Sequence, residues 1–82
     1  MADMFDLAVY IVGMCLERSC DPIEEGDTAV RKLFLSSNET EELYTGIILA
    51  SRFRLAAPER LARVRKRVES TPEFSAVLYP GV

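Results

Sequence analysis

Eighty-two residues, 49% of them hydrophobic and 28% charged, make one small globular domain spanning 1–82. Histidine is absent, which excludes Ser–His–Asp and Cys–His nucleophilic sites, histidine-ligated haem and every zinc site built on imidazole. The formal net charge is −3, so long-range attraction to a phosphate backbone is weak and a stand-alone DNA binder is disfavoured.

Cysteine and glycine usage narrows the chemistry further. Cys15 and Cys20 supply half of a tetrahedral zinc set, and their spacing is wider than the redox C-x-x-C motif. Four glycines form neither of the phosphate-cradling loop motifs. No cofactor, no metal and no enzymatic activity are expected. Cys15 is expected within a helix, so both thiols are expected free, in a reducing, cytoplasmic compartment. Asp3 and Asp6 stand where a secretory leader would carry basic residues. The nearly uncharged run Leu7–Leu16 is half the length of a membrane span, which takes about twenty residues.

The first segment, Asp3 to Ser19, is predicted helical, with Asp3 as N-cap and Asp6 adding charge to the first turn. Asp6, Tyr10, Gly13 and Glu17 make one narrow polar or small stripe, and almost everything else is apolar. Such a helix has to be buried on at least two sides. It is either the centre of a bundle or, in part, a homodimer or partner interface. Ser19–Asp27, with Pro22, Gly26 and four acids, is predicted to be an acidic loop. A short helix over Thr28–Leu35 is expected to turn Val30, Leu33 and Phe34 to the core and Arg31 and Lys32 to solvent.

Ser36-Ser37-Asn38-Glu39-Thr40-Glu41-Glu42 is a helix start with capping-box spacing at both Ser36–Glu39 and Asn38–Glu41. The helix is expected to run to Leu55 with Leu43, Tyr44, Ile47, Ile48 and Ser51 on one face. Gly46 costs it about 1 kcal/mol against alanine, and a close helix crossing would explain its presence. Pro58 opens a further helix to Glu69, with Leu61, Val64 and Val68 as a narrow apolar stripe, Arg60, Arg63 and Arg67 opposite, and Glu59–Arg63 as an i,i+4 pair. Thr71 and Pro72 are expected to cap and open a last short element docking Phe74, Val77 and Leu78, before a tail over Tyr79–Val82. No stretch alternates with period two. The predicted fold is therefore all-α, a small single-domain bundle of four to five short helices.

Charge is the most informative feature. Residues 1–51 hold three basic and ten acidic side chains, a net of −7, whereas residues 52–82 hold seven basic and three acidic, a net of +4. Glu24, Glu25, Asp27, Glu39, Glu41 and Glu42 are candidates for an acidic patch that meets a basic partner surface. Arg60, Arg63, Lys66 and Arg67, within the basic segment Arg52–Arg67, are candidates for a basic face. A helix-turn-helix across Leu35–Asn38 is disfavoured, because its recognition helix would open with Glu39, Glu41 and Glu42 against the DNA backbone.

A domain of this size buries only about 60% of the surface its unfolded chain exposes, so a partner would add stability. The leading expectation is a non-enzymatic protein-binding module, an adaptor or inhibitor that occludes its partner by shape and charge. Its size, its acidity and its lack of catalytic residues suit small adaptor, chaperone or inhibitor proteins, phage-type ones that block a nucleic-acid-binding machine included; this is a similarity of type that carries over no residue. The alternatives are a nucleic-acid-binding regulator using Arg52–Arg67 and a structural subunit of a larger assembly.

Overall fold

The computed structural model describes residues 1–79; Pro80, Gly81 and Val82, part of the expected tail, lie outside the described residues. The described residues form four α-helices and a closing 3-10 helix: α1 (Met4–Arg18), α2 (Pro22–Leu33), α3 (Ser37–Arg52), α4 (Pro58–Glu69) and the 3-10 helix Pro72–Val77. The all-α bundle is thus the observed class. No described helix is long and apolar enough to cross a membrane.

Helix starts follow local chemistry. Asp3 and Ser36 each form a reciprocal capping box, with Asp6 and Glu39 respectively, and so satisfy two otherwise unpaired N–H groups at each start. The Asn38–Glu41 spacing forms no such box, because Ser36 already sets the start of α3. The expected acidic loop over Ser19–Asp27 is corrected: Asp21 caps α2, Pro22 occupies its first position, and Glu24 and Glu25 sit in its first turn. Proline at the first position and acids on the positive helix end are start signals, and they outweigh Gly26.

Three of the four described α-helices, α1, α2 and α3, end with one device. Ser19, Phe34 and Arg54 all have positive φ, at 57°, 53° and 53°. After each, an N–H reaches back five residues to a carbonyl: Cys20 to Cys15 at 3.2 Å, Leu35 to Val30 at 3.2 Å, and Leu55 to Ala50 at 3.0 Å. This is the Schellman closure, with a non-glycine residue in the left-handed position three times over. It ends α2 at Leu33 and α3 at Arg52, earlier than expected. It also swings Phe34, expected in the core, out to 91% exposure.

α1 is the centre. It packs most extensively on α3, then on α4 and α2. Met4 and every residue from Leu7 to Cys15 are buried. Of the predicted polar or small stripe, Tyr10 and Gly13 are enclosed, and Asp6, Gly13 and Glu17 meet residues of α4. A Cβ at Gly13 would lie 2.5 Å from a Leu61 methyl. The burial that a dimer through α1 would have supplied is met inside the chain, apart from Phe5 and Leu16. At the α1–α3 crossing a Cβ on Gly46 would stand 2.7 Å from the Ala8 Cβ, so Gly46 marks the expected close approach. The core face of α3 is Leu43, Gly46, Ile47 and Ala50, not the expected set with Ile48 and Ser51.

The last segment closes the bundle. Phe74 and Val77 are buried as expected. Thr71 stands at the expected N-cap position but makes no side-chain cap bond: its buried hydroxyl donates to the Arg67 carbonyl at 2.7 Å and accepts from Ala2 N–H at 2.9 Å, tying the last segment to the first. Tyr79 is docked rather than part of a free tail. Its ring stacks on Tyr10 with centroids 5.9 Å apart, its N–H donates to the Tyr10 hydroxyl at 3.0 Å, and the Arg18 guanidinium lies over it at 4.7 Å.

Candidate functional site

The six acidic candidates divide into two groups. Glu25 accepts from the Tyr79 hydroxyl, Asp27 accepts from the Tyr44 hydroxyl, and the Glu39 side chain accepts from Ser36 N–H at 2.9 Å. Those three hold the fold together. The phenols feel it: burial and then Glu25 push the Tyr79 hydroxyl pKa up, and the hydrogen bond to Asp27 does the same to Tyr44. Glu24, Glu41 and Glu42 are exposed, the first on α2 and the other two on α3. Glu41 and Glu42 line an open groove between the start of α1 and the outer side of α3, together with Asp3, Phe5, Thr45 and Leu49.

The basic candidates divide as well. Arg67 grips Asp6 with two nitrogens, at 2.7 and 3.3 Å. This hydrogen-bonded pairing holds the Asp6 carboxyl below the usual carboxylate range, against the opposing effect of burial. Arg65 crosses α1 to reach the Met14 sulfur at 2.8 Å and Glu17 at 3.5 Å. Both bridges join the acidic and basic halves of the chain, at the two ends of the α1 stripe. Arg60, Arg63 and Lys66 are exposed and have no ion-pair partner among the described residues, Glu59 included. Arg60 and Arg63 flank the α1–α4 groove at Phe5, Asp6 and Val9.

Sequence reasoning missed the outer face of α3. Ile48 is 49% exposed, Leu49 37% and Phe53 62%, and Phe5 of α1, 39% exposed, lines the groove with Leu49. Glu41 and Glu42 lie at the N-terminal end of this face and Arg52 at the other. The missed signal was the small residues: Leu43, Gly46, Ile47 and Ala50 recur at i, i+3, i+4 and i+7, and counting glycine and alanine as core places Ile48 and Leu49 outside. No group of three metal-ligating side chains occurs among the described residues. The arrangement offers contact chemistry: apolar anchors, a carboxylate rim and, on the far side of α1, a guanidinium ridge. No protein-family model matches the chain, and neither does any curated protein or solved structure.

Proposed function

We propose that this chain is a non-enzymatic protein-binding module whose docking surface is the outer face of α3 together with Phe5 of α1. Its partner presents an amphipathic segment with apolar side chains and several lysines or arginines. The observation that carries this reading is the exposure of Ile48, Leu49 and Phe53 along α3 and just past its end, with Leu49 and Phe5 lining one groove with the carboxylates Glu41, Glu42 and Asp3. Grouped apolar side chains rimmed by charge are what partner-binding surfaces of small proteins present. The apolar residues supply the anchor, and the acidic rim at one end with Arg52 at the other fixes the direction in which the segment lies. Basic amphipathic segments frequently contact nucleic acid themselves. Covering one makes the chain an adaptor or an inhibitor of its partner by occlusion. The free thiols Cys15 and Cys20 favour a reducing compartment such as the cytoplasm.

A second reading, nucleic-acid binding by α4, has one observation in its favour: Arg60, Arg63 and Lys66 stand exposed over two helical turns. Two facts weigh against it. Arg65 and Arg67 are committed to α1, and Asp6 adds a negative charge beside Arg60 and Arg63.

Affinity capture with the intact chain, run with and without nuclease, separates the two. The proposal expects a stoichiometric protein that survives nuclease, is lost with Leu49→Ser/Phe53→Ser, and is retained by Arg60→Glu/Arg63→Glu/Lys66→Glu. Nucleic acid recovered by the first variant and lost by the second would replace it with the α4 reading. Self-association abolished by the first variant, with no other protein captured, would make the occupant a second copy of this chain.

A further inference from the structure

The Schellman closure places the residue after the left-handed position against the residue five earlier, and the pair in contact is ordinarily apolar. Two of the three helix ends here follow that habit, with Leu35 over Val30 and Leu55 over Ala50. The end of α1 does not. Its two positions are Cys20 and Cys15, with Sγ atoms 2.8 Å apart and both thiols free. The backbone that ends the helix thus also juxtaposes two sulfurs. That removes the objection that Cys15, lying within a helix, could not reach its neighbour. The described residues offer this pair no third ligand for a metal ion.

The two thiols differ in access. Cys15 is buried, while Cys20 is only partly buried. Both line a half-open, largely apolar groove of about 620 Å³ formed by Leu16, Pro22, Arg54 and Pro58 among others. A groove of this volume admits a small organic molecule, and Arg54 on its wall offers a cation to a carboxylate.

We propose that Cys15 and Cys20 form a reversible intrachain disulfide site, closed by exchange with a low-molecular-weight disulfide that carries carboxylates, of which oxidised glutathione is the type. In the first step the Cys20 thiolate attacks one sulfur of the reagent. The reagent's S–S bond breaks, its other half leaves as a thiolate and takes up the proton released from Cys20, and Cys20 is left as a mixed disulfide. In the second step the Cys15 sulfur, having lost its proton, attacks Cys20. The S–S bond between Cys20 and the reagent breaks as the Cys15–Cys20 bond forms, and the departing thiolate takes up the proton released from Cys15, leaving a second reduced thiol. Two electrons and two protons pass from the protein to the reagent, so one reagent molecule is reduced to two thiols. Burial, Cys20 itself and the nearby carboxylates Glu25 and Asp21 push the Cys15 thiol pKa up, so Cys20 is the first nucleophile, and the part of that shift owed to Cys20 is removed once Cys20 is held in the mixed disulfide. Glutathione in its reduced form reverses the sequence.

The test incubates the folded chain with oxidised and reduced glutathione at stepped ratios, followed by acid quench, alkylation and intact-mass measurement. The expected product is a monomer lighter by two hydrogens, with both cysteines protected from alkylation and restored by excess reduced glutathione. Cys15→Ala is expected to stop at a persistent glutathione adduct on Cys20, and Cys20→Ser to give no adduct. Circular dichroism of each variant confirms that it is folded. Heating is expected to show the oxidised chain melting several degrees above the reduced one, because the closed loop restricts the unfolded chain. Both cysteines still alkylated at the most oxidising ratio would overturn the proposal. So would a stable glutathione adduct on the unmutated chain, or disulfide-linked dimers as the main product.

Discussion

α1 and α3 are nearly equal in length, 15 and 16 residues, and cross at the same contact of Ala8 with Gly46, yet they are used differently. α1 is wrapped on three sides, by α3, α4 and α2, and leaves only Phe5 and Leu16 substantially exposed among its large apolar residues. α3 gives one face to α1 and leaves Ile48 and Leu49, with Phe53 just past its end, uncovered. An apolar residue is therefore no measure of core membership in this chain. What matters is whether another element covers it: α4 and the 3-10 helix close on α1 and α2, and among the described residues no element packs on the outer side of α3.

The contrast is sharpest in truncations. Leu43→Ala on the inner face of α3, like Leu7→Ala on α1, is expected to cost about 2–5 kcal/mol in urea unfolding, because it opens a cavity in the centre. Leu49→Ala and Phe53→Ala are expected to stay within about 0.5 kcal/mol. Equal losses on the two faces of α3 would mean that its outer face is structural after all.

The two glycines of the helix crossings come next. Each replacement by alanine gains about 1 kcal/mol of helix propensity. At Gly46 the neighbour is the Ala8 Cβ, fixed to its backbone, so Gly46→Ala is expected to be destabilising by about 1–3 kcal/mol. At Gly13 the neighbours are the mobile ends of Leu61, so Gly13→Ala is expected to be near neutral or mildly stabilising. The same unfolding titration reads both, and Gly46→Ala as stable as Gly13→Ala would show that α1 and α3 can move apart.

Glycine is missing where the backbone favours it. Phe34→Gly and Arg54→Gly relieve left-handed strain and are expected to raise stability by up to about 1 kcal/mol, since each replaces a side chain at positive φ. Phe34→Gly removes a 91% exposed aromatic as well, so a fall in stability would reveal a contact for it.

The smallest expected effect concerns the pair that ties α4 to α1. With its carboxyl pKa lowered in the folded chain, Asp6 favours folding fully above its unfolded value, about pH 4, and loses that contribution as pH falls through the folded value. Arg67→Gln is expected to lower the melting temperature slightly at pH 7 and to match the parent chain in acid. A difference that persists below pH 3 would assign the effect to lost packing of the Arg67 stem.

Helix starts were the legible part of this fold, because capping chemistry is local: Asp3, Ser36, Pro58 and Pro72 all mark real starts. Helix ends were not, because the usual marker is glycine and this chain closes with serine, phenylalanine and arginine instead. Only the second half of α2 is legible, since acids beside Gly26 have the composition of a loop, whereas beside Pro22 they mark a first turn. Of the candidate site, the exposed ridge of Arg60, Arg63 and Lys66 could be read from helical spacing. The acidic set could not, because Glu25 and Asp27 bond to Tyr79 and Tyr44, 54 and 17 residues away in sequence. The apolar anchors of α3 stayed hidden for a related reason: which side of α3 meets α1 is decided by Gly46 and Ala50, whose small size carries no hydrophobic weight.

The most direct measurement is an amide chemical-shift titration of the isotope-labelled chain with a leucine–lysine amphipathic helical peptide, and with its leucine–glutamate counterpart as control. Docking on α3 predicts that the basic peptide shifts Phe5 and residues from Glu41 to Phe53, that the acidic one does not, and that Leu49→Ser/Phe53→Ser abolishes the response. Shifts confined to Arg60–Arg67, or a response to the acidic peptide alone, would contradict it.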